Sequence, residues 1–101
     1  MFIGVGRVEL RIPLSGSLKS KRHVIKAITG GVRAKFNVGV AEVGHQDLWQ
    51  RASLGVSCVS ESSFHAQKML REVERFISRD DRVEILDTAV AVRSWSDLDD
   101  D

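Results

Sequence analysis

A cluster of positively charged side chains is the clearest chemical feature of the sequence. The segment SGSLKSKRHVIKAI combines serine hydroxyls with lysine and arginine at steps of three and four residues, and it contains no acid. That spacing places cations on one face of a helix, whose first amides favour anions. We therefore predict a binding site for phosphate groups, such as those of RNA. Its candidate residues are Ser17, Lys19, Ser20, Lys21, Arg22, Lys26 and Arg33.

These cations also have a simpler interpretation, because lysine and arginine are common on solvated helix faces that bind nothing. Cations in a first helical turn, however, oppose the helix dipole, each by about 0.3–1 kcal/mol. An anion bound at the helix start would offset that cost. The sequence leaves both interpretations open.

A second candidate site is the polar segment HQDLWQR between two predicted strands. In such surroundings Trp49 could stack on a base or anchor a protein partner. Asp47 could cap a turn or pair with Arg51, and Gln46 and Gln50 supply amide groups. In the alternative interpretation, Trp49 folds over the end of the sheet and closes the core.

The residue types that perform catalysis are not arranged for it in the sequence. His23, His45 and His65 lie in different predicted elements without the spacing of metal ligands. Cys58 is the single cysteine and alternates with apolar residues, so we interpret it as a core residue. The loop PLSGSLKSKR does not match the phosphate loop of acylphosphatases, and Walker and dinucleotide motifs are absent. We expect a non-enzymatic protein without metal or cofactor.

Two hydrophobic periodicities predict the elements that position these candidates. Alternation predicts strands, and apolar residues at three- and four-residue steps predict helices. The predicted strands are residues 2–12, 37–43, 51–60 and 83–92, and the predicted helices are residues 18–36 and 62–78. Gly30 and Gly31 each weaken the first helix by roughly 1 kcal/mol relative to alanine, so we expect a kink or fraying there.

The order β-α-β-β-α-β predicts an α+β ferredoxin-like sandwich, with a four-stranded antiparallel sheet and two helices on one face. The other face would be open, and it lacks the aromatic residues on which RNA-recognition motifs stack bases. Phosphate contact, dimerisation or a self-paired charged surface remain open for it. We place Arg7, Glu9, Arg11, Arg51, Ser53 and Ser57 on this face.

Length and charge distribution complete the expected organisation. The 101 residues suit one domain, which we assign to residues 1–93, followed by an acidic and flexible tail at 94–101. Residues 7–35 hold eight cations and one acid, whereas residues 79–101 hold three cations and eight acids. The tail aspartates could remain solvated or fold back over the basic helix; they are Asp97, Asp99, Asp100 and Asp101.

The cellular location is also an expectation from composition. No apolar run approaches the ~20 residues of a membrane helix, and the N-terminal segment resembles a strand rather than a signal peptide. A single cysteine suits a reducing compartment. We therefore expect a cytoplasmic protein that does not bind membranes.

Several segments resemble the YlxP-like family, small bacterial proteins that carry a domain of unknown function. These are GVGRVELRIP, SLKSKRHVIKAI, FNVGVAEV and HQDLWQRASLGV, and the stretch from Ala41 to Ala52 is the most specific. The resemblance covers residues 1–93 and implies a ferredoxin-like fold but no established activity. Members of the family are often encoded beside translation-initiation and ribosome-maturation factors, which suggests an RNA or ribosomal context.

Two functional hypotheses follow. In the first, the protein is an accessory module that binds RNA or a ribosomal surface through the basic helix and the loop before it. In the second, it is a protein-interaction or homodimerisation module that uses the open sheet face, an edge strand or Trp49.

Overall fold

The computed structural model describes residues 1–98 and contains one four-stranded sheet with the order β2-β3-β1-β4. All neighbouring strands are antiparallel. The predicted ferredoxin-like α+β sandwich is confirmed, and a short third helix is added to it. The elements are β1 (Phe2–Arg11), α1 (Leu18–Lys35), β2 (Gly39–Gly44), β3 (Arg51–Ser60), α2 (Ser63–Ser78), β4 (Glu84–Ser94) and α3 (Trp95–Leu98).

The core lies between the sheet and the two long helices. Alternate residues of the central strands face the helices, as the period of two requires. Each helix presents one apolar stripe in return. The buried core residues include Val8, Leu10, Leu54 and Val56 from β1 and β3, Val24, Ile25, Ile28 and Val32 from α1, and Ala66, Leu70, Val73 and Ile77 from α2.

Helix α1 is continuous across its two glycines, so the expected fraying at Gly30 and Gly31 is wrong. The buried stripe of α1 continues on both sides of them, at Ile28 and Val32. Burial of these side chains outweighs the low helix propensity of glycine. A Cβ at Gly31 would lie 3.1 Å from Cζ of Phe76, so this glycine lets α2 pack closely, whereas the space around Gly30 is open.

The C-terminal segment begins as part of the sheet. Ser94 pairs with Phe2, and the Trp95 amide donates a hydrogen bond to the Met1 carbonyl, at 2.9 Å. The strand therefore extends one residue beyond the predicted domain boundary at 93. Asp99, Asp100 and Asp101 lie outside the described residues, and the flexibility of the tail stays a prediction. Across residues 1–98, no helix has the length and apolar character needed to cross a membrane.

Candidate nucleic-acid interface

The two candidate sites of the sequence meet at one end of the sheet. The Ile12 amide donates to the Gln50 carbonyl, at 2.9 Å. The Gln50 side-chain amide donates to the carbonyl oxygens of Pro13 and Ser15, at 3.1 and 3.2 Å. The β2–β3 loop is thereby attached to the loop before α1. We call residues 13–26 and 45–50 together the loop-end surface.

Lys21 fastens this surface from inside the protein. Its side chain is fully buried, and its ammonium donates to the carbonyl oxygens of His45 (2.7 Å) and Arg51 (3.1 Å). Oε2 of Glu42 lies 2.9 Å from the same nitrogen, as an ionic contact rather than a well-directed hydrogen bond. The prediction that Lys21 is available to an external anion is therefore wrong. The reason is that both ends of the β2–β3 loop, and an acid on β2, converge on the first turns of α1.

The β2–β3 loop begins with a strained backbone conformation at His45, which several contacts stabilise. The φ of 60° at this residue lies in the left-handed region, which costs a non-glycine residue about 1–2 kcal/mol. The His45 carbonyl accepts hydrogen bonds from the Lys21 ammonium and from the Leu48 amide, the latter at 3.0 Å. On the open sheet face, its ring nitrogen lies 3.6 Å from the Glu9 carboxylate, which also accepts from the Ser53 hydroxyl. These contacts stabilise the strained turn and fix the loop that carries Trp49.

The remaining cations of α1 point to solvent. Lys19, Arg22, Lys26 and Arg33 are exposed, and α1 contains no acid. Within residues 1–98, none of these four has a carboxylate oxygen within 4.0 Å. The Arg33 guanidinium donates to the Val40 carbonyl, at 2.8 Å, which steadies it against β2. These four cations therefore share one exposed side of α1, and the buried Lys21 is not among them.

The serines at the helix start have different roles. The Ser17 hydroxyl caps α1 by accepting a hydrogen bond from the Ser20 amide, at 3.0 Å, as expected for an N-cap serine. The Ser15 hydroxyl is buried and donates to the Ser17 carbonyl. Ser20 is exposed and is therefore the serine of this group best placed to meet a ligand.

Trp49 lies on the outside of the β2–β3 loop. Its side chain is 54% exposed and the neighbouring Leu48 is 45% exposed, so Trp49 does not close the core as the alternative interpretation expected. A shallow depression of about 430 Å³ runs along residues 47–51. Asp47 is exposed and forms no ion pair with Arg51 in the described part of the chain, and the Gln46 amide reaches the Glu42 carbonyl at 3.5 Å.

A groove between α1 and α2 extends the basic surface. It has a volume of about 440 Å³ and is lined by Lys35, Phe36, Glu72, Arg75, Phe76 and Arg79. The Lys35 ammonium lies 5.7 Å from the ring centre of Phe36 and 5.4 Å from that of Phe76. The four-residue step from Arg75 to Arg79 is visible in the sequence, but only the packing of the helices brings both to Lys35.

The other reactive side chains are separate from this surface. Cys58 is buried and its sulfur lies 3.8 Å from the Ala66 carbonyl. Burial raises the pKa of its thiol, which therefore stays protonated and unreactive at neutral pH. His65 pairs with Glu61 on the surface of the protein. Nowhere between residues 1 and 98 do three His, Cys, Asp or Glu side chains come close enough to hold a metal ion.

The fold defines the chain as a ferredoxin-like α+β sandwich. Two designed proteins of known structure share this fold. Foldit4 has a TM-score of 0.52 and 16% identity, over 91% of this chain and 97% of that chain. LFR1 1, described as having a ferredoxin fold, has a TM-score of 0.52 and 13% identity, over 93% of this chain and 87% of that chain. At these identities the likeness extends to the fold alone.

The sequence then gives the family. The chain belongs to the protein family of unknown function DUF503, whose model matches residues 3–90. It is similar to the uncharacterized protein YlxP of Bacillus subtilis (strain 168), with 47% identity over 75 residues, which cover 74% of this chain and 82% of that protein. The predicted YlxP-like family is confirmed.

Proposed function

We propose that this protein is a non-enzymatic RNA-binding protein that uses the loop-end surface and the exposed cations of α1. One observation carries this proposal. Trp49 is exposed on a loop that Gln50 and Lys21 hold against the basic start of α1. An exposed aromatic side chain and exposed cations are thus carried by two segments that contact each other, and this combination of groups binds single-stranded nucleic acid.

The exposed cations are spaced to follow a phosphate backbone. Lys19, Arg22 and Lys26 lie on one side of α1, and at 1.5 Å per residue they extend over about 10 Å of helix. Arg33 continues the same side for about another 10 Å. Because the first turn of α1 contains no acid, its amides and these cations all favour negative charge.

Trp49 supplies the second part of the interaction. Stacking of a base on an aromatic side chain is worth about 1–3 kcal/mol and tolerates any base. The loop that presents Trp49 is fixed at both ends, by the contacts of Lys21 with His45 and Arg51. Binding therefore requires little further ordering of the loop, which favours affinity.

A salt titration of RNA binding tests this assignment. The affinity for a labelled RNA hairpin with a single-stranded loop is measured by fluorescence anisotropy at several salt concentrations. Each lost phosphate contact lowers the slope of log K against log[salt] by about 0.7–0.9. We expect the variant Lys19→Ala/Arg22→Ala/Lys26→Ala to bind more weakly, with a slope smaller by about 2–3.

The matched control removes three cations from the opposite side of the protein, as Arg7→Ala/Arg11→Ala/Arg93→Ala. Arg7 and Arg11 are paired with acids on β4, and all three are exposed. We expect this variant to keep the wild-type slope. RNA binding that is indifferent to salt, or an equal loss in the two triple variants, would contradict the assignment.

A further inference from the structure

The open face of the sheet has an apolar half that faces solvent. Val5 is 52% exposed and Val59 is 63% exposed. In the register of the sheet, Ile3 pairs with Val59 and Val5 pairs with Ala91, so these side chains are contiguous. Gly4, Cys58 and Val90, which alternate with them, are directed to the helices instead. We call Ile3, Val5, Val59, Ala89 and Ala91 the apolar half-face.

A bulge in the edge strand enlarges this surface. The register between β2 and β3 shifts between Glu42 and Gly44, and the extra residue is Val43. Val43 is 58% exposed, and its side chain lies over Gly55, where an added Cβ would be 3.1 Å from it. Small residues and short branched side chains thus cover this part of the sheet, and Arg7, which pairs with Gly55 and Ala89, lies beside them and is held by Asp87. A surface of this kind suits the face-to-face packing of two sheets, about 10 Å apart.

We propose that this open face is the interface of a homodimer, in which two copies of the chain pack sheet against sheet around a two-fold axis. A two-fold contact places the same surface on both sides, so the surface must be compatible with itself. Contiguous exposed apolar residues satisfy that requirement, and monomeric proteins seldom leave large patches of them in water.

The charges on this face favour a second copy over other occupants. Arg7 lies 3.2 Å from the Asp87 carboxylate and Arg11 lies 3.8 Å from that of Glu84, both across the β1–β4 pair. Two such faces therefore meet without net repulsion. The helix layer is different, because the unpaired cations of α1 would repel the same cations of a second copy. Arg93, which is opposite Ile3, lies at the rim of the face.

The size of the face agrees with what a stable dimer needs. Its strands have 10, 6, 10 and 11 residues. At about 3.3 Å per residue and 4.8 Å between strands, the face measures roughly 600 Å² per copy. Two copies whose faces overlap completely would bury about 1,200 Å², the lower end of the range for specific interfaces. In such a dimer both α1 helices stay on the outside, so dimerisation and the proposed RNA binding do not compete.

The oligomeric state in solution tests the proposal. The nuclease-treated protein is studied by sedimentation equilibrium up to high micromolar concentration, beside the variant Val5→Asp/Val59→Asp. We expect a dimer for the wild type and a dissociation constant raised about 100-fold or more for the variant, because two charges per copy would be buried without partners. The control Leu14→Asp/Phe64→Asp changes residues that are 95% and 69% exposed and lie outside the sheet; it should remain dimeric.

A milder variant separates loss of the dimer from loss of the fold. Val5→Thr/Val59→Thr keeps the side-chain shape and suits a strand, and its circular dichroism should match that of the wild type. We expect its dimer to be weakened about tenfold. A wild type that is monomeric at every concentration would overturn the proposal. So would folded threonine and aspartate variants that dimerise as tightly as the wild type.

Discussion

The exposed side of α1 and the open face of the sheet both carry several cations, but the two surfaces differ in how those cations are neutralised. On the sheet, Arg7 and Arg11 of β1 face Asp87 and Glu84 of β4, so each charge is paired with its neighbour. Helix α1 has no acid in its sequence, and its cations Lys19, Arg22 and Lys26 stay unpaired within residues 1–98.

The net charge of a chain segment is therefore a poor measure of the charge of the surface to which it contributes. Residues 7–35 hold eight cations. Three of them, Arg7, Arg11 and Lys21, are paired with acids from distant parts of the chain. The others all lie on α1, which makes one side of the molecule electropositive and leaves the sheet nearly neutral. We assign RNA to the first surface and a second copy of the chain to the other.

The largest effect on stability is expected from substituting Lys21. Like Arg7 and Arg11 of the sheet, and unlike the exposed cations of α1, Lys21 is paired with an acid. Lys21→Met leaves the Glu42 carboxylate and two carbonyl oxygens without their partner, and it should lower the free energy of unfolding by about 3 kcal/mol. Lys26→Met, at an exposed position, should change it by less than about 0.5 kcal/mol. Urea denaturation measures both. Equal stability of the two variants would show that Lys21 does not fasten the loop.

Trp49 and Trp95 provide a matched pair at opposite ends of the sheet, with exposures of 54% and 51%. Trp49→Ala should weaken RNA binding by about 5- to 150-fold, which corresponds to the 1–3 kcal/mol of one stacked base. Trp95→Ala should leave the affinity unchanged, because Trp95 lies beside Met1, at the end of the sheet away from the loop-end surface. Fluorescence anisotropy with the same RNA hairpin measures the affinity of both variants. Similar losses in the two variants would remove Trp49 from the binding surface.

An acid introduced into α1 would partly neutralise its cations, as the acids of β4 do for Arg7 and Arg11. Gly30 is exposed and has open space around it, four residues after Lys26 and three before Arg33. Gly30→Glu should stabilise the protein by about 0.5–1 kcal/mol through helix propensity. It should also weaken RNA binding by about two- to fivefold, by neutralising the adjacent cations.

Gly30→Gln is the control for that change, because it has the same size and a similar helix propensity without the charge. Thermal unfolding should show about the same gain for both variants, whereas only the glutamate should lose affinity. An equal loss of affinity in the glutamine variant would mean that the bulk of the side chain, rather than its charge, disturbs the surface.

The smallest effect is expected from removing an acid from the sheet, so that one of its cations becomes unpaired. Asp87→Asn frees Arg7 from its ion pair, in which both side chains are more than half exposed. Such pairs contribute about 0–1 kcal/mol, so stability should hardly change. The protein gains a positive charge, but RNA affinity should stay within about twofold of the wild type, because the new charge lies on the face opposite α1. A clear rise in affinity would show that overall charge, rather than the surface of α1, attracts RNA.

Much of the fold could be predicted because its signals are local. The alternation in β1 and β3 and the helical spacing around Ile28 and Leu70 correspond directly to the buried residues. The N-cap of α1 at Ser17 is likewise a local feature, because its hydroxyl accepts from the amide of a residue three positions later. The errors occurred where distant contacts decide. The composition of α1 predicts a weak point at Gly31, but Phe76 of α2 packs against this glycine, and the extension of β4 to Ser94 depends on Phe2.

The order of the elements, the family and the acid-free character of α1 can be read from the sequence, because periodicity, motifs and composition depend on a few neighbouring residues. Which charges remain available depends on the tertiary structure. It buried Lys21 beneath the β2–β3 loop, paired Arg7 with Asp87, and brought Gln50 to Pro13 so that two separate motifs form one surface. The physical reason is that ion pairs and hydrogen bonds depend on distance in space, and the sheet joins strands that are far apart in the chain.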